Sequence, residues 1–255
     1  LLLSKTYFKL NWEKRLKVFE GSNPVYLFSF ERELLSRGCD DIVLMTSHLR
    51  EKLLILGYGQ DLKSLNVDEI RRNELVVVRR NSGGTAVLST NSLNISLFFP
   101  VGANCFSGII DIYKIFLELI KESLFFSNIE VEISNLKEKV ESPLCFLSQA
   151  GETLLFKGRK CFGASQARNG SVILVHGTIL LDFDIELHHK IFGIEKNLLE
   201  SKITSINLNL EMFRDLFLKN VEKKFNKKFE GGIEKISPSK HFIEETKTEK
   251  WMPKI

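Results

Sequence analysis

Between Glu152 and Leu181 the chain carries two pairs of turn residues, Lys157-Gly158 and Asn169-Gly170, which cut the stretch into three strand-length runs. Asn-Gly is a strong short hairpin signal, because both central residues of the tight turn need positive φ and these two residues tolerate it. The stretch therefore predicts a three-stranded antiparallel meander: Glu152 to Phe156, Arg159 to Arg168 and Ser171 to Leu181. Whatever else the chain builds has to pack against that sheet.

Elsewhere helices and strands alternate. Ser22-Asn23-Pro24 sets a capping residue before a proline suited to the first helical turn, and Val25 to Arg37 then reads as a helix closed by Gly38. Lys52 to Gly57 is a short apolar run, Asn66-Val67-Asp68-Glu69 resembles a capping box opening a brief helix, and the valine-rich Glu74 to Val78 reads as a buried strand. Ala86 to Leu88 and Leu93 to Phe99 are the next strands. Ile109 to Phe126 is broken by Asp111, Lys114, Glu118, Lys121 and Glu122, which marks an amphipathic helix and excludes a membrane span. A last long helix is expected over Leu210 to Phe229, followed by a charged, solvated extension, 231–255, with Trp251 as an anchor. The pattern is α/β, a mixed sheet flanked by helices, and 255 residues with 44% hydrophobic content fit one domain over 1–255.

Charge narrows the partners. Lys and Arg number 36 against 32 Asp and Glu, a net charge of +4, which gives no ground for nucleic acid and suits an acidic protein partner. Arg71, Arg72, Arg79 and Arg80 are placed to steer it. Cys39, Cys105, Cys145 and Cys161 form no Cys-x-x-Cys pair and read as reduced thiols. His188-His189 has no carboxylate or cysteine at metal-ligand spacing, so no metal is expected. The start, Leu1 to Lys5, lacks both an initiator Met and the features of a secretory signal, so it is read as the trimmed start of a cytoplasmic protein.

Two segments carry chemistry. Arg79-Arg80-Asn81-Ser82-Gly83-Gly84-Thr85-Ala86-Val87 is a basic pair and a glycine turn leaving a buried strand; the glycines let a ligand lie against backbone amides, and the arginine forks suit a carboxylate or phosphate. An ordinary surface turn is the alternative. Gly158-Arg159-Lys160-Cys161-Phe162-Gly163-Ala164-Ser165-Gln166 sets a lysine on a strand among small residues, where its ammonium can stabilise charge developing on an acyl carbonyl. A solvated lysine is the alternative there.

Taken in order with His176-Gly177-Thr178-Ile179-Leu180-Leu181, these motifs resemble the lipoate-protein ligase and octanoyltransferase family, over about Val25 to Asp184. The resemblance implies a mixed-sheet fold shared with biotin-protein ligases and attachment of a medium-chain acyl group to a lysine of a lipoyl-carrier domain, such as glycine cleavage H protein or an E2 subunit. It implies an acyl or adenylate site lined by Arg80, Ser82, Gly83, Gly84, Thr85, Ala86 and Val87, with Lys160, and with Gly163, Ala164, Ser165 and His176 beside them. A lone histidine on an apolar strand such as His176 is more often a hydrogen-bonded core residue. Ser89-Thr90 stands where many members have His-Asp.

Cysteine-dependent octanoyltransferases and amidotransferases of that family carry their nucleophile shortly before the Gly-Arg-Lys turn, where this chain has Leu144-Cys145-Phe146. Cys145 is thus the expected nucleophile: a thiol accepts an acyl group from a thioester donor as a new thioester that a carrier lysine then opens. Lys160 nearby favours the thiolate. Cys161, next to Lys160, is the rival; Cys39 and Cys105 read as small buried hydrophobes. A transferase of this type needs no cofactor beyond its octanoyl or lipoyl donor, with acyl-carrier protein a candidate. The rival readings are an ATP-dependent lipoate-protein ligase working through lipoyl-adenylate and a non-catalytic relative that binds lipoyl domains.

Overall fold

The computed structural model describes residues 16–100, 108–134, 141–148, 152–170, 172–229, 232–248 and 250–253. The elements run β1 (Leu16–Gly21), α1 (Pro24–Arg37), β2 (Ile42–Leu49), β3 (Leu53–Leu56), α2 (Val67–Arg72), β4 (Val76–Arg79), β5 (Val87–Ser89), β6 (Ser92–Pro100), α3 (Gly108–Phe126) and β7 (Glu132–Ser134). They continue as β8 (Thr153–Phe156), β9 (Arg159–Asn169), β10 (Val172–Leu180), α4 (Ile185–Phe192), α5 (Lys196–Lys202), α6 (Leu210–Phe225), β11 (Glu234–Lys235) and α7 (Lys240–Thr246). An eight-stranded sheet has the order β11-β1-β2-β6-β10-β9-β8-β7, and a three-stranded sheet the order β4-β3-β5. In the large sheet β1 runs parallel to β2 and β11, while the remaining pairs are antiparallel.

Period-2 alternation divides the large sheet's side chains between two cores. Ile42, Leu44, Leu93, Ile95, Leu97, Ile173 and Val175 meet α3 and α6 through Phe116, Ile120, Phe213 and Phe217. Val43, Met45, Phe98 and Leu174 share the opposite core with Leu27 and Phe28 of α1 and with the small sheet's Leu54, Ile55, Val77 and Leu88. With both faces covered, the central strands are almost wholly buried.

Local chemistry sets the helix ends. Asn23 Oδ1 accepts from the Tyr26 amide at 3.1 Å and opens α1, while Gly38 closes it at φ 85°. Asn66 caps α2 in the same way through the Glu69 amide. Two expected boundaries move. The last long helix stops at Phe225 because Asn226 takes the left-handed conformation at φ 49°, and the second hairpin turns one residue late, since Asn169 pairs with Val172 and Gly170 adopts positive φ (54°) while Asn169 does not. The first hairpin turns at Lys157-Gly158 as expected, at φ 52° and 75°. The predicted meander is β8-β9-β10.

The C-terminal segment is not the solvated extension expected from its charge. Glu234 and Lys235 add a strand to β1, and α7 packs along α1. Arg32 lies 3.6 Å over the Trp251 ring and bonds Thr246. Trp251 O then accepts the Arg79 amide at 2.7 Å. The apolar stripes of α1 and α7, together with Trp251, outweigh the solvation of the surrounding lysines and glutamates. Among the described residues no helix is long and apolar enough to cross a membrane.

Among the titratable groups buried outside the site is a histidine. His188 of α4 sits between Phe183 and Phe192, bonds its Nδ1 to Asp184 O at 2.7 Å, and is held by burial down to about 4 from an ordinary 6.5. With the folded pKa depressed, the unfolded chain binds the extra proton as pH falls from 6.5 towards 4. Stability should therefore decline over that window, by on the order of 3 kcal/mol if the histidine acts alone. Denaturant midpoints across that window should fall less for His188→Phe than for the wild type; equal falls would show that another group governs the acid limb.

Candidate functional site

The glycine loop leaves β4 at the junction of the two sheets. Arg80 props it from within: Nε donates to Ser82 Oγ (3.1 Å), and Nη2 donates to Gly83 O (2.7 Å) and Thr85 O (3.0 Å). Nη1 is buried and has no protein partner. Gly57 lies so close beneath the loop that a Cβ there would fall 1.7 Å from Gly84 O, and Gly84 itself has φ 94°. Arg79 is spent on structure, since Nη1 donates to the carbonyls of Gly57, Tyr58 and Gln60, and Nε to that of Lys250. Neither arginine is the free steering charge expected of it. Arg71 and Arg72 are exposed, paired with Asp68 and Glu69 of their own helix.

The loop exit carries the cysteine segment. Ala86 N donates to Pro143 O (2.9 Å) and Cys145 N to Ala86 O (2.8 Å), a two-bond bridge that fixes Cys145 against the start of β5. From β9, Lys160 Nζ donates to Cys145 O and Ser148 O, both at 2.9 Å, and so ties the turn that presents the thiol. Lys160 is 5% exposed. Burial lowers its pKa, and the neighbouring Cys145 opposes that shift.

Cys145 lines a cavity whose apolar walls include Phe28, Ile55 and Val87 and whose polar side includes Glu31, Arg80, Ser165 and His176. Gly163 and Ala164 also line it; a Cβ on Gly163 would stand 3.1 Å from the Phe146 ring. The structure thus gathers Arg80, Val87, Cys145, Gly163, Ala164, Ser165 and His176 around one space. Ser82 touches that space through hydrogen bonds to Ser165 Oγ and His176 Nε2, each 2.6 Å. Gly83 and Gly84 lie exposed on the outer side of the loop, Thr85 and Ala86 form its exit, and Lys160 stands behind Cys145 on the carbonyl side.

Sequence reasoning missed Glu31. It is 1% exposed and receives His176 Nδ1 at 3.0 Å and Ser96 Oγ at 2.5 Å. Its signal was present: on α1 it interrupts the apolar stripe of Leu27, Phe28, Leu34 and Leu35 at helical spacing. Asn94 and Thr178, bonded at 2.7 Å, were missed similarly. Of the rival thiols, Cys161 is fully buried and pushed up to about 12 by burial, and Cys105 lies outside the described residues.

A part-exposed thiol on a cavity with an apolar and a polar side, with a buried lysine and arginine beside it, is chemically suited to handling an acyl group. The architecture around it is that of lipoate-protein ligases. A protein from T. acidophilum described as a lipoate protein ligase, with bound lipoic acid, superposes with a TM-score of 0.75 at 17% identity, covering 94% of this chain and 98% of that one. A bipartite lipoate protein ligase solved with its E2 lipoyl domain, from Thermoplasma acidophilum, gives 0.71 at 15% identity, with 92% and 91% covered. Residues 23–230 match the lipoyl protein ligase A/B catalytic domain, and the chain belongs to that family. Among its relatives is octanoyltransferase LipM of Staphylococcus epidermidis, 30% identical over 234 residues, 84% of each chain.

The burial contrast predicts selective chemistry. Iodoacetamide at about pH 8 should alkylate Cys145 in the folded protein and leave Cys161 unmodified until unfolding, because the reagent needs an accessible thiolate. Equal labelling of the two would contradict the geometry described for Cys161.

Proposed function

We propose that the chain is an octanoyltransferase of protein lipoylation, acting as one catalytic domain in the cytoplasm and working through a thioester on Cys145. The observation that carries this reading is the placement of Cys145: part-exposed on the cavity, with its amide bonded to the glycine-loop exit and its carbonyl to Lys160. The kinship with the octanoyltransferase supplies the acyl group, and the family supplies the acceptor, a lysine of a lipoyl-carrier domain such as H protein or an E2 subunit.

The reaction has two balanced steps. The Cys145 thiol gives up its proton as it adds to the carbonyl of an octanoyl thioester held along Phe28, Ile55 and Val87; the new C–S bond forms, the donor C–S bond breaks, and the departing donor sulfur takes up a proton in exchange and leaves as a thiol. The carrier lysine, as a free amine, then adds to the Cys145 thioester, the amide forms, and Cys145 departs with a proton. Each addition places negative charge on the carbonyl oxygen. The donors we assign to it are Arg80 Nη1, buried without a protein partner, and the third Nζ–H of Lys160, whose other two hold the Cys145 and Ser148 carbonyls. A thioester already carries its activation, so neither ATP nor another cofactor is required.

Incubation with octanoyl-acyl-carrier protein should leave a hydroxylamine-labile octanoyl group on Cys145, located by peptide mass spectrometry, and transfer to a lipoyl domain should proceed without ATP. An adduct on Cys161 alone, or turnover that needs free lipoate and ATP, would reject this route and favour a ligase. Binding of a lipoyl domain with no adduct and no turnover would indicate a non-catalytic relative.

Lys160→Ala should slow transfer by about a hundredfold or more, the usual loss when one preorganised oxyanion donor is removed. Stopped-flow rates on a variant with an unchanged melting temperature decide it. An unchanged rate would reduce Lys160 to a tie for the 145–148 turn.

A further inference from the structure

The cavity lies between two bodies. Phe28 and Glu31 of α1 line one side, while Ile55, Val87 and Arg80, from the small sheet and its loop, line another. The free space between them is narrow, about 30 Å³, room for roughly two waters. A medium-chain acyl group is larger than that, so it enters only as far as the two bodies part. Whatever ties α1 to the small sheet therefore bears on which chains fit.

Trp251 makes such a tie. Its ring covers the Arg32 guanidinium, with Cζ 3.6 Å from the ring centre, and its carbonyl accepts the Arg79 amide at 2.7 Å. Arg32 follows Glu31 on α1, and Arg79, the last residue of β4, precedes Arg80, so each gripped residue is the chain neighbour of a cavity residue. Beside this bond Lys250 O accepts Arg79 Nε at 2.9 Å. The segment that delivers Trp251 is itself seated on α1: Thr246 Oγ1 of α7 receives Arg32 Nη1 and lies 2.7 Å from Ser29 Oγ. Arg32 and Trp251 are 5% and 6% exposed. Held by burial down to about 10 from an ordinary 12.5, Arg32 is a cation at neutral pH, and desolvated cation–π pairs are the strong ones. Its Nε and Nη2 are buried without a protein partner, an arrangement that packing alone does not favour; the indole face is what meets the charge.

We propose that Trp251 is a strut between the two cavity walls and a positioning residue for acyl-chain length: by holding α1 against the root of the glycine loop it limits how far the walls part, and so favours octanoyl over longer saturated chains. The inference rests on the transferase reading above. Trp251 takes no part in either transfer step. Its ring bears on α1 and its carbonyl on β4, so shortening the side chain frees one wall while the backbone bond to the other persists. α1 and β4 also touch directly, and Glu31 ties α1 to β6 and β10, so the fold survives the loss and only the allowed separation grows. A rigid pocket separates chains that differ by one methylene by about tenfold or more. A pocket with one slack wall separates them less.

Competition between octanoyl- and decanoyl-acyl-carrier protein, both in excess over the full chain and quenched early, with the two adducts counted by intact mass, tests the strut. Both donors draw on the same folded molecules, so the adduct ratio is independent of how much protein is folded, and a merely stabilising role for Trp251 leaves it unchanged. The wild type should favour octanoyl. Trp251→Ala should raise the ratio of decanoyl to octanoyl adduct by about threefold to tenfold. Trp251→Phe, which keeps a ring over Arg32, should restore most of the selectivity. Arg32→Leu should shift the ratio in the same direction as Trp251→Ala, and combining the two should shift it no further, since both cut one tie. If Trp251→Ala does not fold, Arg32→Leu decides alone. Wild-type ratios in folded Trp251→Ala or Arg32→Leu, equal shifts in Trp251→Phe and Trp251→Ala, shifts that multiply in the double variant, or a wild type that takes both donors equally would overturn the strut while leaving the Cys145 thioester standing. A wild-type protein that gains no adduct from either donor overturns the transferase reading and the strut with it.

Discussion

The register of β10 between β6 and β9 is the constraint on which the site depends. His176 stands opposite Ser96 on one side and Ser165 on the other, and Thr178 stands opposite Asn94 and Gly163. Directly opposed residues in an antiparallel pair share a face, so this pairing collects the polar residues of three strands into one stripe and sends Ile173, Val175 and Ile179 to the opposite core. A slip of one residue would turn His176 into the α3–α6 core and bring Val175 to the cavity. Pairing with both neighbours over most of β10 makes such a slip very costly.

A polar stripe buried under a helix has to be satisfied, because each unbonded group would cost on the order of 1–3 kcal/mol. α1 supplies the main acceptor through Glu31, and the glycine loop supplies Ser82 and Arg80. The small sheet is held by the same logic: its loop rests on Gly57, is stiffened by Arg80, and reaches the cysteine turn through Ala86. Burial of the stripe and the seating of Cys145 therefore draw on connected hydrogen bonds. The turn that carries Cys145 is held from one side by backbone bonds to Ala86 and from the other by the buried Lys160 side chain.

Much of this was legible in the residues. The meander, α1 with its Asn23 cap, the valine-rich strand and the glycine loop all announce themselves through local periodicity and turn chemistry, and Cys145, Lys160 and the loop stood out by their order along the chain. The illegible parts share a physical cause. β1 and β2 gain their identity from long-range pairing, β1 with β2 and β11 and β2 also with β6. The charged C-terminal segment reads as solvent-exposed until Trp251 is seen beneath Arg32. Arg79 and Arg80 look like surface cations because nothing local shows the carbonyls that receive them. Glu31 could have been found from the break it makes in an apolar stripe, but its partner His176 lies 145 residues away.

The union of Arg79 with Lys250 and Trp251 joins residues 171 positions apart, and it braces the root of the glycine loop from outside. Closing so long a loop carries an entropic cost that only late, cooperative packing repays. The helices and the meander are assembled from nearby segments, whereas the seat of the glycine loop waits for residues close to 250. On loop-closure grounds the scaffold is expected to precede the site in folding order: chains that have formed most of the large sheet would still lack the clasp that steadies the loop, and the geometry around Cys145 would be among the last features to become fixed.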